Sequence, residues 1–195
     1  MSQPHDLYYF LYPPPLIAET AKELLPSAQG PRWPGRGNPM SSDRLHITLH
    51  ALGRFLNGVP REVIDFALAA GSAMDYEPFG VCLNVLQSRG AVEEGAFGTV
   101  ELAPQAGAAR DLRGFQQALG NTMRRMGFAD TQIRSHFHPH MTLHYLHERI
   151  DRMVVDPVAW TVVQFALVDS LYGLSRHDVL ARWSLKERQQ AFLDW

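Results

Sequence analysis

The spacing of apolar residues predicts that short strands and longer helices alternate along this chain. Residues 6–12 are almost all aromatic or apolar and precede three prolines, which indicates a buried strand that ends there. Residues 109–127 carry apolar side chains at helical spacing and give the strongest helix prediction. The other predicted helices cover 15–27 and 60–76, and the other predicted strands cover 44–55, 79–88, 99–103, 138–147, 160–174 and 179–185.

The order of these elements predicts an internally repeated α+β fold. A strand, a helix, a loop and a second strand occur in the N-terminal half, and the same order returns later in the chain. The strands 79–88 and 99–103 are expected to pair, and the last two strands are expected to form a hairpin with its turn near 175–178. We therefore expect one bilobal domain over 1–195, with two pseudo-twofold-related lobes of antiparallel sheet and flanking helices.

A five-residue motif, His-x-Thr-Leu-His, occurs twice, at 46–50 and at 140–144. Because side chains alternate along a strand, each copy is expected to place both histidines and the threonine on one face. The apolar residues between them would then face the core. Two such strands lying opposite each other would present imidazoles and hydroxyls to one small anionic group.

Paired imidazoles suit phosphoryl chemistry. Histidine titrates near neutral pH, so one ring can accept a proton while the other donates one. Threonine hydroxyls can donate hydrogen bonds to the non-bridging oxygens of a phosphate. One copy alone is more often an ordinary core or surface histidine, but a matched repeat is improbable by chance.

Composition and charge describe an ordinary globular protein. Hydrophobic residues make up 46% of the chain, charged residues 19%, and the net charge is −2, which gives no global attraction to nucleic acid. Cys82 is the single cysteine, which excludes an internal disulfide and a multi-cysteine zinc site. The N-terminus lacks the pattern of a signal peptide and no segment has the length of an apolar membrane span, so we expect a cytoplasmic protein without a membrane partner.

The two motifs and their surroundings resemble the two-histidine (2H) phosphoesterase superfamily. Within it, the chain is similar to the bacterial RNA 2′,3′-cyclic phosphodiesterases, historically called 2′-5′ RNA ligases. The resemblance spans most of the chain and is carried by YYFLYPPP at 8–15, Arg32–Trp33, RLHITLHALGRF at 44–55, Gly127–Phe128 and FHPHMTLHYL at 137–146.

This resemblance implies a bilobal fold and a reaction that needs no metal or other cofactor. It implies that His46 and His140 are the catalytic acid and base, without telling which is which, and that Thr48 and Thr142 hold the phosphate. The implied substrate is a 2′,3′-cyclic phosphate on an RNA 3′ end or on a small nucleotide, with 2′-5′ RNA ligation as the reverse reaction. No obligate protein partner is expected.

The chain departs from the family pattern at Tyr145, where many of these phosphodiesterases carry an arginine. A phenol hydroxyl there replaces a bidentate cation. Arg134, or an arginine of the 32–36 loop, could supply the missing charge, and Trp33 in that loop could stack on a base. The alternative for Trp33 is packing against the edge of the sheet.

Two other functions remain open from the sequence. His136, His138, His140 and His144 alternate, and together with His46 and His50 they could form a nitrogen-rich metal site of a metal-dependent phosphoesterase. No acidic residue lies within either motif, which counts against a site for a hard metal. The other alternative is a protein that binds nucleotides or RNA ends without turnover.

Overall fold

The structure, a computed structural model, describes residues 4–29, 38–90, 98–133, 135–146, 149–171 and 173–186. Within these residues the chain forms three α-helices: α1 (Pro15–Gln29), α2 (Arg61–Ser72) and α3 (Arg110–Arg125). The described strands are β1 (His5–Leu11), β2 (Asn38–Pro39), β3 (Ile47–Phe55), β4 (Phe79–Arg89), β5 (Gly98–Ala103), β6 (Met141–Leu146), β7 (Met153–Val162), β8 (Gln164–Leu171) and β9 (Arg176–Ser184). Each of the three predicted helices is therefore confirmed, with α2 shorter than predicted.

All these strands belong to one antiparallel sheet, with the order β7-β4-β5-β6-β3-β1-β8-β9 and with β2 paired to β6. Each half of that order contains four strands. In the described residues the two halves are joined by one paired position, Ile47 of β3 opposite Met141 of β6. The two motif strands therefore meet at their first residues, directly after His46 and His140.

The two halves repeat the same local structure. β1, α1 and β3 follow one another in the first half, as β5, α3 and β6 do in the second. Phe10 of β1 lies opposite Thr48, and Glu101 of β5 lies opposite Thr142. The pairing of each motif strand also shifts at the same point, past Leu49 in β3 and past Leu143 in β6. The predicted α+β fold with two pseudo-twofold-related halves is confirmed.

The prediction for the C-terminal strands is partly wrong. The predicted strand 160–174 contains parts of two strands, since β7 ends at Val162 and β8 begins at Gln164. β7 pairs with β4 at one end of the sheet, whereas β8 pairs with β1 and β9 in the other half. A continuous apolar run cannot reveal such a change of partner. The turn of the closing hairpin also ends at Ser175, and Asp178 is already paired with Asp169.

The helices pack on the sheet in a crossed arrangement. α1 contacts β6 and β7, whereas α3 contacts β3 and β4, so each helix lies behind the motif strand of the other half. Large rings fill the core between them, among them Tyr9, Phe115 and Phe165. None of the described helices is long and apolar enough to cross a membrane.

A glycine in α3 permits the close approach of this helix to β3. A Cβ added at Gly120 would lie 3.0 Å from the Ile133 Cγ2 and 3.2 Å from the His50 Cε1. Both of these side chains are buried and have little room to move. At Gly114 of the same helix, an added Cβ would lie 2.8 Å from the Tyr76 hydroxyl, which is the terminal atom of a half-buried side chain and can move aside.

We predict that Gly120→Ala lowers the free energy of unfolding, because the added methyl group overpacks the contact between α3 and β3. Overpacking typically costs about 1–3 kcal/mol, which exceeds the roughly 0.5–1 kcal/mol that alanine contributes to helix formation. Gly114→Ala is the matched control, because it gains the same helix propensity while displacing only a flexible group. Urea unfolding of both variants tests the prediction, and equal stabilities would contradict it.

Candidate active site

A cavity of about 920 Å³ lies over the junction of the two motif strands. Five predicted site residues line it: His46, Thr48, His140, Thr142 and Tyr145. The pairing of Ile47 with Met141 explains this, because it places the two His-x-Thr segments side by side. The other predicted site residues, Trp33 and Arg134, lie outside the described residues, as does the 32–36 loop.

The second histidine of each motif does not share the face of the first, and this prediction is wrong. Leu49 and Leu143 are extra residues in their strands, so a β-bulge interrupts the alternation of side chains. Leu49 and His50 are both buried on the core side, and Leu143 and His144 repeat this pattern. The His50 Nε2 lies 3.0 Å from the Gln116 carbonyl oxygen of α3. His50 and His144 are therefore part of the packing behind the sheet.

Burial and an aromatic contact define the environment of His46. Its ring stacks on Phe10, with 3.8 Å between centroids and 25° between planes. The His46 Nδ1 lies 2.6 Å from the Arg44 carbonyl oxygen, to which it donates its proton. Burial is the main reason that the pKa of His46 is lowered, to about 3, and the positive charge of Arg44 acts in the same direction. The ring is still partly open to the cavity, and water there limits this shift.

The environment of His140 contains a carboxylate instead. Its Nδ1 lies 2.8 Å from the His138 carbonyl oxygen, which repeats the hydrogen bond of His46 in the other half. Its Nε2 lies 3.5 Å from the Glu101 Oε1, and the Glu101 Oε2 lies 3.1 Å from the His138 Nε2. Glu101 is only 2% exposed, so solvent screens these contacts weakly.

The two halves hold their motif histidines with equivalent backbone hydrogen bonds but surround them with different side chains. Arg44 and His138 each lie two residues before a motif histidine and accept its Nδ1 proton through their carbonyls. Phe10 and Glu101 each lie opposite a motif threonine. A cation and an aromatic ring therefore flank His46, whereas an imidazole and a carboxylate flank His140. Glu101 could not be identified from the sequence, because it is distant from His140 in the chain and belongs to no motif.

A third histidine, which the sequence did not indicate, lies in the same region. His177 of β9 lines the cavity, with its ring 5.1 Å from that of His46. Burial of the Tyr12 hydroxyl raises its pKa to about 12, and this hydroxyl forms a hydrogen bond with the His177 Nδ1, 3.0 Å away. Burial and the charge of Arg44 lower the pKa of His177 to about 4. His177 is therefore neutral at pH 7.

Two of the described arginines, Arg44 and Arg54, line the cavity, and they differ in what they contact. Arg54 donates two hydrogen bonds to the Asp6 carboxylate, at 2.7 and 2.8 Å, which balances its charge. The Arg44 Nε is buried and has no hydrogen-bond partner among the described residues. Arg44 also lines an adjoining cavity of about 700 Å³, together with Arg182. Arg44 therefore offers a cation at the boundary of the two cavities.

The predicted six-histidine metal cluster does not form. His50 and His144 lie on the core side of the bulges, and His136 is exposed outside the strand. A smaller group forms instead from Glu101, His138 and His140, whose potential ligand atoms lie within 4.8 Å of one another.

The lowered pKa values of His46 and His177 predict that acid destabilises the fold. Between the folded pKa values of about 3 and 4 and the ordinary value of 6.5, the unfolded chain binds more protons, so stability falls as the pH falls below 6.5. His177→Gln retains an acceptor for Tyr12 without titrating. Urea unfolding at pH 7 and pH 5 should show a loss that is smaller in this variant by on the order of 1 kcal/mol. Equal losses in both proteins would contradict the shift at His177.

Comparisons with known proteins connect this geometry to solved structures. No family model and no curated protein matches the sequence. Solved structures do match. The structure of a phosphoesterase has 23% sequence identity and a TM-score of 0.70, and the match covers 94% of this chain and 99% of the phosphoesterase chain. Escherichia coli LigT, complexed with NADP+, has 24% sequence identity and a TM-score of 0.69, and the match covers 95% of this chain and 100% of LigT. The Thermus thermophilus protein TT0787 has 24% identity and a TM-score of 0.67, and the match covers 92% of this chain and 97% of TT0787. The chain therefore shares the fold of these three structures, LigT among them.

Proposed function

We propose that this protein is a metal-independent phosphodiesterase that hydrolyses 2′,3′-cyclic phosphates on RNA ends or small nucleotides. The observation that carries the proposal is the junction of the two motif strands, which brings two imidazoles and two threonine hydroxyls to one cavity. In-line attack on phosphorus needs a proton removed on one side and delivered on the other. Two histidines from opposite halves of the sheet suit that requirement.

His46 is proposed as the general base. Donation of its Nδ1 proton to the Arg44 carbonyl leaves the lone pair on Nε2, and burial keeps the ring neutral at pH 7. The negative charge of a bound cyclic phosphate would raise the pKa of His46 towards the working pH, where a base is most effective. The ring would take a proton from the attacking water as the new oxygen–phosphorus bond forms.

His140 is proposed as the general acid. The Glu101 carboxylate lies 3.5 Å from its Nε2 and places a negative charge beside the nitrogen that would carry the transferred proton. Their separation of 3.5 Å is longer than a short charged hydrogen bond, so the proton is not held tightly by the carboxylate. This proton would pass to the ribose oxygen as its bond to phosphorus breaks, which yields a phosphomonoester. Reversal of the same steps would join RNA ends.

The remaining polar groups are proposed to hold the phosphate. Thr48 and Thr142 line the cavity beside the two histidines, where their hydroxyls can donate to non-bridging oxygens. Arg44 lines the same cavity as Tyr145 and supplies a positive charge there. Arg44 was not among the phosphate ligands predicted from the sequence. We propose that Arg44 takes over the role that an arginine at position 145 has in similar proteins.

A nucleotide is proposed as the substrate class. E. coli LigT, whose fold this chain shares, has been crystallised with NADP+ and with 3′-AMP. A cavity of about 920 Å³ is within the usual size of small-molecule sites. The net charge of −2 favours contacts confined to an RNA end over binding along a long strand.

We predict that His46→Ala and His140→Ala each lower turnover of a nucleoside 2′,3′-cyclic phosphate by several orders of magnitude. The double variant should be little worse than either single one, because the two rings act as a unit. Turnover by the native protein should be undiminished in EDTA. His136→Ala, an exposed histidine outside the cavity, is the control. Near-normal activity in either single variant would show that the two-histidine mechanism is wrong.

The role proposed for Arg44 gives a separate prediction. Arg44→Gln should raise KM about tenfold or more, because a charge-assisted hydrogen bond contributes about 1.5–3 kcal/mol. Tyr145→Arg in the same chain should restore part of the affinity by returning a guanidinium to the pocket. Arg61→Gln, on the exposed face of α2, controls for the loss of one positive charge. An unchanged KM in Arg44→Gln would assign the phosphate contact to another residue.

A further inference from the structure

We infer that Glu101, His138 and His140 form a binding site for a divalent transition metal, with Zn²⁺ as the expected ion. In the described part of the chain their potential ligand atoms all lie within 4.8 Å of one another. Two of them, His138 and His140, flank one proline, whereas Glu101 comes from the neighbouring strand β5. The sheet assembles a set of two imidazoles and one carboxylate that no sequence motif contains.

The distances suit a metal of this size. The Glu101 Oε2 lies 3.1 Å from the His138 Nε2, and the Glu101 Oε1 lies 3.5 Å from the His140 Nε2. Ligand atoms about 2.0–2.1 Å from a tetrahedral zinc ion lie roughly 3.4 Å from each other. The two separations from Glu101 therefore suit the ion, whereas the two imidazoles, whose ligand atoms lie within 4.8 Å of each other, would close around it on binding.

The hydrogen bonds of His140 also suit a ligand. Its Nδ1 donates to the His138 carbonyl oxygen at 2.8 Å, which leaves the Nε2 lone pair on the side of Glu101 in the neutral ring. Imidazoles that bind metals almost always donate their other ring proton in this way. Glu101 is 2% exposed, so its carboxylate interacts with a cation through a poorly hydrated environment.

The ligand set points to the chemical class of the ion. Two imidazole nitrogens and one carboxylate oxygen suit Zn²⁺ and its neighbours, whereas Mg²⁺ and Ca²⁺ prefer oxygen ligands. His140 and Thr142 line the cavity, so a fourth coordination position would open towards the proposed substrate. Three protein ligands and one open position are the usual arrangement of an exchangeable zinc site.

The other half of the sheet provides an internal comparison. Arg44, His46 and Phe10 occupy the positions that correspond to His138, His140 and Glu101. A guanidinium and a phenyl ring do not bind a metal, so these three corresponding positions offer one imidazole and no carboxylate. The same backbone frame therefore supports a metal site in one half of the sheet and not in the other.

A bound metal would compete with a proton for the His140 Nε2. While Zn²⁺ occupies that nitrogen, the ring has no proton to deliver to a leaving oxygen, so the metal inhibits hydrolysis. This consequence rests on the proposed function, whereas metal binding itself does not. The site would then make turnover sensitive to the level of free zinc.

Titration with Co²⁺, a spectroscopic substitute for Zn²⁺, tests binding without an activity assay. Protein freed of metal with EDTA should develop the visible absorption of nitrogen- and oxygen-coordinated Co²⁺, and Zn²⁺ should displace it. Glu101→Gln and His138→Gln should each weaken binding by more than the roughly 10- to 100-fold that loss of an outer-shell partner costs. His136→Gln, an exposed histidine nearby, should bind like the native protein.

His138→Gln keeps this test informative if replacement of the buried Glu101 impairs folding, because the His138 side chain is 38% exposed. Absence of Co²⁺ binding by the native protein, or equal affinity in native protein and His138→Gln, would overturn the metal site.

The inhibitory role has its own test. Zn²⁺ should inhibit turnover of a nucleoside 2′,3′-cyclic phosphate by the native protein, and EDTA should restore it. His138→Gln should require a higher Zn²⁺ concentration for the same fractional inhibition. Activation by Zn²⁺ would overturn the inhibitory role. His46→Gln should bind Co²⁺ normally although it is inactive. Co²⁺ binding by a native protein that does not turn over the cyclic phosphate would show that the proposed function alone had failed.

Discussion

The pairing of β3 with β6 through Ile47 and Met141 is the constraint on which the rest of this structure depends. It joins the two halves of the sheet and places the residues just before it, His46 and His140, beside a common cavity. Both apolar residues of this pair are fully buried, so the junction is held by the core as well as by the backbone. The candidate site therefore lies where the two halves of the fold must meet.

The two β-bulges give this junction its second property. Each bulge follows the motif threonine and turns the next leucine and histidine together towards the core. One short motif thus supplies polar groups to the cavity at its start and packing groups to the helices at its end. His50 contacts α3, and Gly120 is needed for that helix to come so close. The geometry of the cavity and the packing behind it are consequently coupled.

Differences between the two halves convert this symmetric frame into an asymmetric site. Phe10 and Arg44 surround His46 with an apolar face and a positive charge, both of which favour a neutral imidazole. Glu101 provides the opposite charge beside His140. Equivalent backbone hydrogen bonds hold both rings, so the difference in chemistry comes from side chains that were free to diverge. The same difference between the halves places Glu101 and His138 beside His140, which gives the three ligands of the inferred metal site.

The repeated elements and the two His-x-Thr segments could be predicted from the sequence, because they depend on local periodicity and on a motif that occurs twice in the chain. The sequence also predicted the three helices, the pairing of β4 with β5 and five residues that line the cavity. The direction of the His50 and His144 side chains depends on the tertiary structure, since one extra residue in a strand reverses the face on which every later side chain lies. The partners of β7 and β8, and the approach of Glu101 and His177 to the motif histidines, also depend on the tertiary structure. These contacts form between strands whose residues are distant in the chain. Local periodicity describes each strand alone, so it cannot predict which strands pair.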